Sequence, residues 1–204
     1  MPISSFPAIF HLIVVLFVFL KLPSHSISQR SASMNHLEAL VAEWLNYNQY
    51  FVRSAVKVGK RAKGGWDGEL DVVAFHPKRR HFLHVECSVD AHNWDKREMR
   101  FQKKFSAGMR HARDLFLGMK LPTKLDQVIV HGYASAAEKH RTLGGGRLIT
   151  SGELTAEIMD GLPANMWSMA VPEQFSLMRT LQIAKMGGAQ LSAPTVRLIP
   201  PIAS

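Results

Sequence analysis

The sequence predicts an α/β domain, with a mixed central sheet flanked by helices. Two patterns support this: short apolar, β-branched segments typical of strands, and longer segments whose apolar residues recur at helical spacing. With 204 residues, of which 47% are hydrophobic, the chain is long enough for one domain with a substantial core. The expected order of elements is α-β-β-β-α-β, followed by a short strand and two helices.

The first expected element is a helix over residues 35–48, because apolar residues recur there on one face. Those residues are Leu37, Leu40, Val41 and Trp44. Asn35 is the expected N-cap, and Glu38 stands three residues later, where it would complete a capping box. Three apolar strands are expected next. They span residues 50–58, 69–75 and 81–88.

A long helix is then expected from Asn93, its N-cap, to about Phe116. The residues expected to point inward from it are Trp94, Phe101, Phe105 and Met109. Residues 126–134 have the continuous apolar character of a buried strand, and a short strand is expected after the glycines at 144–146.

Two further helices are expected to close the domain. Ser151 is the expected cap of the first, which stops near Gly161, and Pro172 lies in the first turn of the second, which ends near Met186. The domain is therefore expected to span residues 34–186, with a loose, proline-containing tail at residues 187–204.

Residues 1–33 are expected to be an extension outside the domain. The apolar run at residues 6–20 is short for a bilayer span, because a helix of that length reaches only about 22 Å. No Lys or Arg precedes it, as one would in a signal peptide. Three interpretations stay open: a membrane anchor, a cleaved export signal, and an upstream start before a natural one at Met34. The last is favoured and predicts a cytoplasmic protein, whereas a retained apolar run predicts a membrane-anchored one.

The charge of the chain is concentrated in one segment. The formal net charge is +9, and between residues 53 and 113 there are 15 Lys or Arg against 7 Asp or Glu. A concentrated basic surface favours a polyanionic partner, with nucleic acid first and an anionic membrane second. A solvated basic face is the alternative. The single cysteine, Cys87, excludes an intrachain disulfide and is typical of a reducing compartment.

Two carboxylates lie inside otherwise apolar strands. If the hairpin pairs Phe75 with Phe82, Asp71 falls opposite Glu86, and opposed like charges destabilise an antiparallel pair. A hard divalent cation between them, Mg²⁺ or Mn²⁺, would remove that repulsion, because such ions take oxygen ligands. Asp71 and Glu86 are therefore the candidate metal ligands. The alternative is that each carboxylate pairs with a nearby Lys or Arg, and a one-residue slip in register would separate the two.

A helix with Glu43, a strand with Asp71, a strand with Glu86-Cys87-Ser88, then a helix and another strand follow one another along residues 35–133. This arrangement resembles the core of the PD-(D/E)xK, or restriction-endonuclease-like, nuclease superfamily. The resemblance implies a restriction-endonuclease-like α-β-β-β-α-β core. It also implies that Asp71 and Glu86 hold the metal, and that Glu43 is the helix carboxylate that completes the site.

The chain departs from that pattern where the family has a lysine, since Ser88 occupies the position. A serine hydroxyl can hydrogen-bond the attacking water but carries no charge. Two lysines elsewhere are candidates to supply the missing positive charge: Lys57 on the preceding strand and Lys104 on the following helix, where Arg97 lies two turns earlier. The sequence does not choose between them.

The function that follows from the resemblance is a Mg²⁺- or Mn²⁺-dependent endonuclease that hydrolyses DNA. The alternative is a non-catalytic nucleic-acid-binding protein with a degenerate nuclease fold. DNA is the expected partner in both, a homodimer is left open, and a membrane is a partner only if residues 6–20 are retained.

Overall fold

The computed structural model describes residues 35–132 and 137–201, which belong to one compact unit spanning Ser31–Ser204. In these ranges a six-stranded mixed sheet is flanked by four α-helices, so the expected α/β class is confirmed. The strands are β1 (Phe51–Lys60), β2 (Trp66–His76), β3 (His81–Ser88), β4 (Asp126–His131), β5 (Thr142–Leu143) and β6 (Gly146–Thr150). The helices are α1 (His36–Tyr47), α2 (Trp94–His111), α3 (Ser151–Gly161) and α4 (Ser176–Met186).

The sheet has the strand order β1-β2-β3-β4-β6-β5, with β1 at an edge. The β1–β2 and β2–β3 pairs are antiparallel, whereas β4 runs parallel to both β3 and β6. Phe75 pairs with Phe82, so the expected register of the hairpin is confirmed. The element order α-β-β-β-α-β is also as expected from the sequence.

Side chains alternate across each strand, and the two faces of the sheet are covered by different helices. On one face, Val72, Val85 and Val130 pack in a buried cluster with residues of α1, α3 and α4. On the other face, Val73 and Phe82 pack with the end of α2 and the segment after it. The side of α2 that lies on the sheet is therefore the side that faces Asp71 and Glu86.

Some boundaries differ from the sequence prediction. Thr150, not Ser151, caps α3, because its hydroxyl accepts the Glu153 N–H and the Glu153 carboxylate accepts the Thr150 N–H. The last helix begins at Ser176 and not at Pro172. Helix α2 ends at His111 and continues as a 3₁₀ segment to Phe116. Met109, expected to point inward, is exposed.

Part of the segment that the sequence predicts to be a loose tail is packed against the domain. Leu198 and Ile199 are buried, and their backbone N–H groups donate to the carboxylate of Glu157. The indole Nε1 of Trp44 donates to the same carboxylate at 3.1 Å. Glu157 thus ties the C-terminal segment to α1 and α3.

The expected N-terminal extension, residues 1–33, lies outside the described residues, as do residues 133–134 at the end of the strand predicted over 126–134. Within the described ranges, no helix combines the length and apolar character needed to cross a membrane.

Candidate active site

The site begins where strands β2 and β3 stop pairing. Their ladder runs from His76–His81 to Val72–Val85 and is not continued at the next residue of each strand. There the N–H of Cys87 donates to Asp71 Oδ2 at 2.8 Å, so a side chain takes the place of a backbone acceptor. This hydrogen bond fixes the carboxylate of Asp71 beside the strand that carries Glu86.

The two carboxylates share one lysine. Lys104 Nζ donates to Asp71 Oδ1 at 2.9 Å and also contacts Glu86 Oε2. The side chain of Glu86 is fully buried, whereas that of Lys104 is 32% exposed. Lys104 reaches the pair because α2 lies across the sheet at this point. Lys104 is one turn from the buried Phe101 and next to the buried Phe105, so it lies near the side of α2 that packs on the sheet. Of the two candidate lysines, the structure places Lys104 at the carboxylates.

His84 holds the second oxygen of Glu86. Its Nε2 lies 2.8 Å from Glu86 Oε1, and the imidazole is completely buried with an edge-to-face contact to Phe105. Gly108 makes room for the ring, since a Cβ at that residue would lie 2.2 Å from His84 Nδ1. Because Oε1 is bound by the imidazole, Glu86 presents only Oε2 to the position it shares with Asp71.

The surroundings move the pKa values of the two acids in opposite directions. Burial raises the pKa of Asp71 to about 7, and the negative charge of Glu86 adds to the effect. Burial alone would also raise the pKa of Glu86, but the hydrogen bond and charge of His84, together with the charge of Lys104, lower it instead.

A second cation stands next to Ser88. Arg100 Nη2 donates to Ser88 Oγ at 2.9 Å, and Ser88 in turn contacts Asp90. Arg97, buried at the start of α2, donates to Asp90 Oδ1 at 3.2 Å and to its backbone carbonyl at 2.9 Å. Burial alone would raise the pKa of Asp90, but the hydrogen bonds from Ser88 and the two arginines lower it. The position without charge in the sequence motif thus has an arginine beside it.

Glu43, which the resemblance assigns to the site, is not brought there. Its Oε1 accepts the Met178 N–H at 2.8 Å and so caps the start of α4. Residue 38 lies on another side of α1, since five residues correspond to a rotation of about 140°. Glu38 is electrostatically coupled to the site: burial raises its pKa, the charge of Lys104 opposes that rise, and the charge of Glu86 adds to it.

In the sequence, Glu38 stands out only as a residue in a capping position. Its carboxylate does not take the backbone N–H of Asn35 but the side-chain amide, while the Asn35 carboxamide oxygen accepts the Glu38 N–H. An acidic residue in the first turn of a helix is commonly explained by the helix dipole alone.

Lys57 is also left outside the site. It is exposed on the edge strand β1, opposite Glu69 on β2. No hydrogen bond or ion pair connects it to Asp71 or Glu86 in the described residues.

The residues present fit a hard divalent cation with few protein ligands. Asp71 Oδ1 and Glu86 Oε2 converge on a single point that Lys104 Nζ contacts, so the pair is already arranged around a positive charge. Mg²⁺ is commonly held by one or two carboxylates and otherwise by water and substrate phosphates. No cluster of three or more His, Cys, Asp or Glu suited to a metal occurs in the described ranges. A metal here would therefore rely on two protein carboxylates.

The comparisons with known proteins assign no family. No family model and no curated protein sequence matches this chain. One solved structure that resembles it is described as "Crystal Structure of Protein of Unknown Function AF1548". The likeness has a TM-score of 0.38 and 12% sequence identity, and it covers 74% of this chain and 97% of the other. A similarity this weak carries no argument about function.

Proposed function

We propose that this protein is a Mg²⁺- or Mn²⁺-dependent endonuclease that hydrolyses DNA phosphodiester bonds. The observation that carries the proposal is that two strand carboxylates, Asp71 and Glu86, direct one oxygen each at a common cation position. Among the described residues, no arginine forms an ion pair with either acid. Two acids without a common function could each form a separate ion pair at the surface, and they would not have to share one cation position.

Each residue of the site has a defined task in this proposal. Asp71 and Glu86 would hold the ion, which when bound polarises a phosphate oxygen and lowers the pKa of a water molecule. The Cys87 N–H and His84 keep the two carboxylates in place. Lys104, one-third exposed, supplies positive charge where the substrate phosphate would lie. The resemblance to the nuclease superfamily implies this task for the motif lysine.

Much of the basic segment lies on the elements that carry the site or adjoin it. Exposed cations lie on the hairpin arm formed by β1 and β2, and on the outer face of α2. They are Lys57, Lys60, Arg61, Lys63, Lys96, Lys103 and Arg110. Contacts of this type bind the phosphates of any sequence and position the backbone without reading the bases. The protein is proposed to act in the cytoplasm, in line with its single, buried and unpaired Cys87.

A second candidate function is DNA binding without cleavage. The observation that favours it is that Lys104 Nζ already contacts both carboxylates and so supplies the positive charge that a metal would otherwise bring. If the ammonium is not displaced, the fold retains its basic surface but has no hydrolytic centre.

Nicking of supercoiled plasmid DNA distinguishes the two functions. The wild-type protein is expected to nick in Mg²⁺ or Mn²⁺ and to be inactive in EDTA. Asp71→Asn and Glu86→Gln are expected to abolish nicking. Glu43→Gln is the matched control, since Glu43 caps α4 and not the site. Salt-sensitive DNA binding without nicking in either metal would establish the binding protein and overturn the endonuclease.

A further inference from the structure

The hairpin of β1 and β2 extends beyond the rest of the sheet. Strand β2 pairs with β1 as far as Lys60–Trp66, but with β3 only as far as Val72–Val85. Residues 56–70 therefore form a two-stranded arm that starts at the carboxylate site. At about 3.4 Å per residue, Trp66 lies about 17 Å from Asp71 along β2.

The arm is fixed against α2. Val58 and Leu70 are buried in one cluster with Ala107 of α2. Closer to the tip, His111 Nε2 lies 3.2 Å from Asp67 Oδ2. The arm thus holds its tip at a set distance from the site.

Trp66 is exposed at the end of this arm. Its surface is 43% accessible, and its indole makes no ring contact, hydrogen bond or cation–π contact with any other described residue. The turn before it has Gly64 and Gly65 with φ of +91° and +82°, and a Cβ at either would meet no atom within 4 Å. The turn therefore leaves room next to Trp66, and a large part of the indole is open to solvent.

Three cations occupy the end of the arm with Trp66. Lys60 stands opposite Trp66 in the ladder, and Arg61 and Lys63 occupy the turn. Arg61 donates to Asp67 at 3.0 Å, whereas Lys60 and Lys63 form no ion pair with described residues. An aromatic face among cations is the arrangement by which proteins bind single-stranded nucleic acid: bases stack on the ring and the cations contact the phosphates.

We propose that Trp66 is a stacking platform for an unpaired base of the DNA substrate. This inference deepens the proposed function and rests on it for the position of the base. The arm thus places the stacked base about 17 Å along β2 from Asp71. The preferred substrate is then DNA with a single-stranded segment beside the cleaved bond, and not uninterrupted duplex. Continuity of the arm with the carboxylate site favours DNA over a lipid surface as its partner.

Fluorescence anisotropy in EDTA tests the platform without cleavage. The probes are a labelled duplex and the same duplex with a single-stranded extension of about ten nucleotides, within the range of known single-strand sites. Trp66→Ala is expected to weaken binding of the extended probe by about 5- to 100-fold, as loss of one stacked base does, with a smaller effect on the duplex. Trp66→Phe is expected to retain most of the affinity.

Trp167→Ala is the matched control, because Trp167 is 92% exposed and lies between α3 and α4. Its affinity for both probes is expected to equal that of the wild type. Equal weakening of both probes by Trp66→Ala, or no weakening, would overturn the platform. So would a loss of binding to anionic phospholipid vesicles in Trp66→Ala with DNA binding intact.

The same variants separate this inference from the endonuclease. A wild-type protein that nicks DNA, with Trp66→Ala binding normally, overturns the platform alone. Trp66-dependent binding of the extended probe by a protein that never nicks supports the platform and overturns the endonuclease.

Discussion

Replacing Lys104 by methionine tests whether its ammonium is the cation that holds the two acids together. Methionine retains most of the length and apolar contact of the lysine stem but removes the charge. Glu86, which is fully buried, and Asp71, whose side chain is 10% exposed, would then face each other without the ammonium that they share. Loss of one partner from a buried ion pair typically costs about 3–5 kcal/mol. Because water reaches one-third of Lys104, we expect the lower end, about 3 kcal/mol at neutral pH.

Urea denaturation measures this loss as a lower midpoint at an unchanged slope. The wild type and Lys104→Met are compared in EDTA and in Mn²⁺. A divalent ion is expected to stabilise Lys104→Met more than the wild type, because the ion no longer competes with the ammonium for Asp71 and Glu86. At 100 times the dissociation constant, the gain would be about 2.7 kcal/mol. Lys103→Met is the control, since Lys103 is exposed on the same helix and a change there is expected to stay within about 0.5 kcal/mol. Equal stability of Lys104→Met and the wild type in EDTA, with no response to Mn²⁺, would refute the reasoning.

The remaining predictions concern stability elsewhere in the domain. Glu157→Ala leaves three buried N–H donors without their acceptor and is expected to cost at least about 3 kcal/mol by urea denaturation, with Glu157→Gln milder. Asp126 pairs with His81 and Arg147; burial alone would raise the pKa of Asp126, but these partners lower it to about 2. Its contribution of about 2 kcal/mol is therefore present above the unfolded pKa and is lost as the pH falls from about 4 to 2. In a pH series of thermal melts, Asp126→Asn should no longer show this acid-dependent loss. At pH 7 it should be less stable than the wild type by the same contribution. Gly108→Ala is expected to destabilise by about 1–3 kcal/mol, because the added methyl group would collide with the His84 ring; thermal melts that match the wild type would show that the ring can move aside.

The order and register of the central elements follow from local signals in the chain. Alternation of apolar residues and the proline in the β2–β3 connection determine which residues pair, so Phe75 and Phe82 could be matched before the fold was known. The choice of Lys104 over Lys57 depends on how α2 crosses the sheet. A helical pattern predicts which face of a helix packs, but it does not predict which strand residue lies beneath each turn. Both lysines flank apolar positions, so the sequence pattern does not distinguish them.

The predictions that were wrong, for Glu43 and for the C-terminal segment, concern contacts between distant parts of the chain. Glu43 and Glu38 both lie on a correctly predicted helix, and only the packing of α1 decides that Glu43 caps α4 and that the charges of the site act on Glu38. Leu198 and Ile199 have no periodic pattern to mark them as buried. Their burial depends on Glu157, more than 40 residues earlier, whose carboxylate satisfies their N–H groups.

The sharing of one cation position by Asp71 and Glu86 is tested most directly by counting bound Mn²⁺. The electron paramagnetic resonance signal of free Mn²⁺ falls as the ion binds protein, so a titration gives the number of sites and their affinity. One ion is expected on the wild type, a tighter one on Lys104→Met, and none on Asp71→Asn or Glu86→Gln. If Glu86→Gln binds Mn²⁺ as the wild type does, or if neither the wild type nor Lys104→Met binds any, these two carboxylates do not form a metal site.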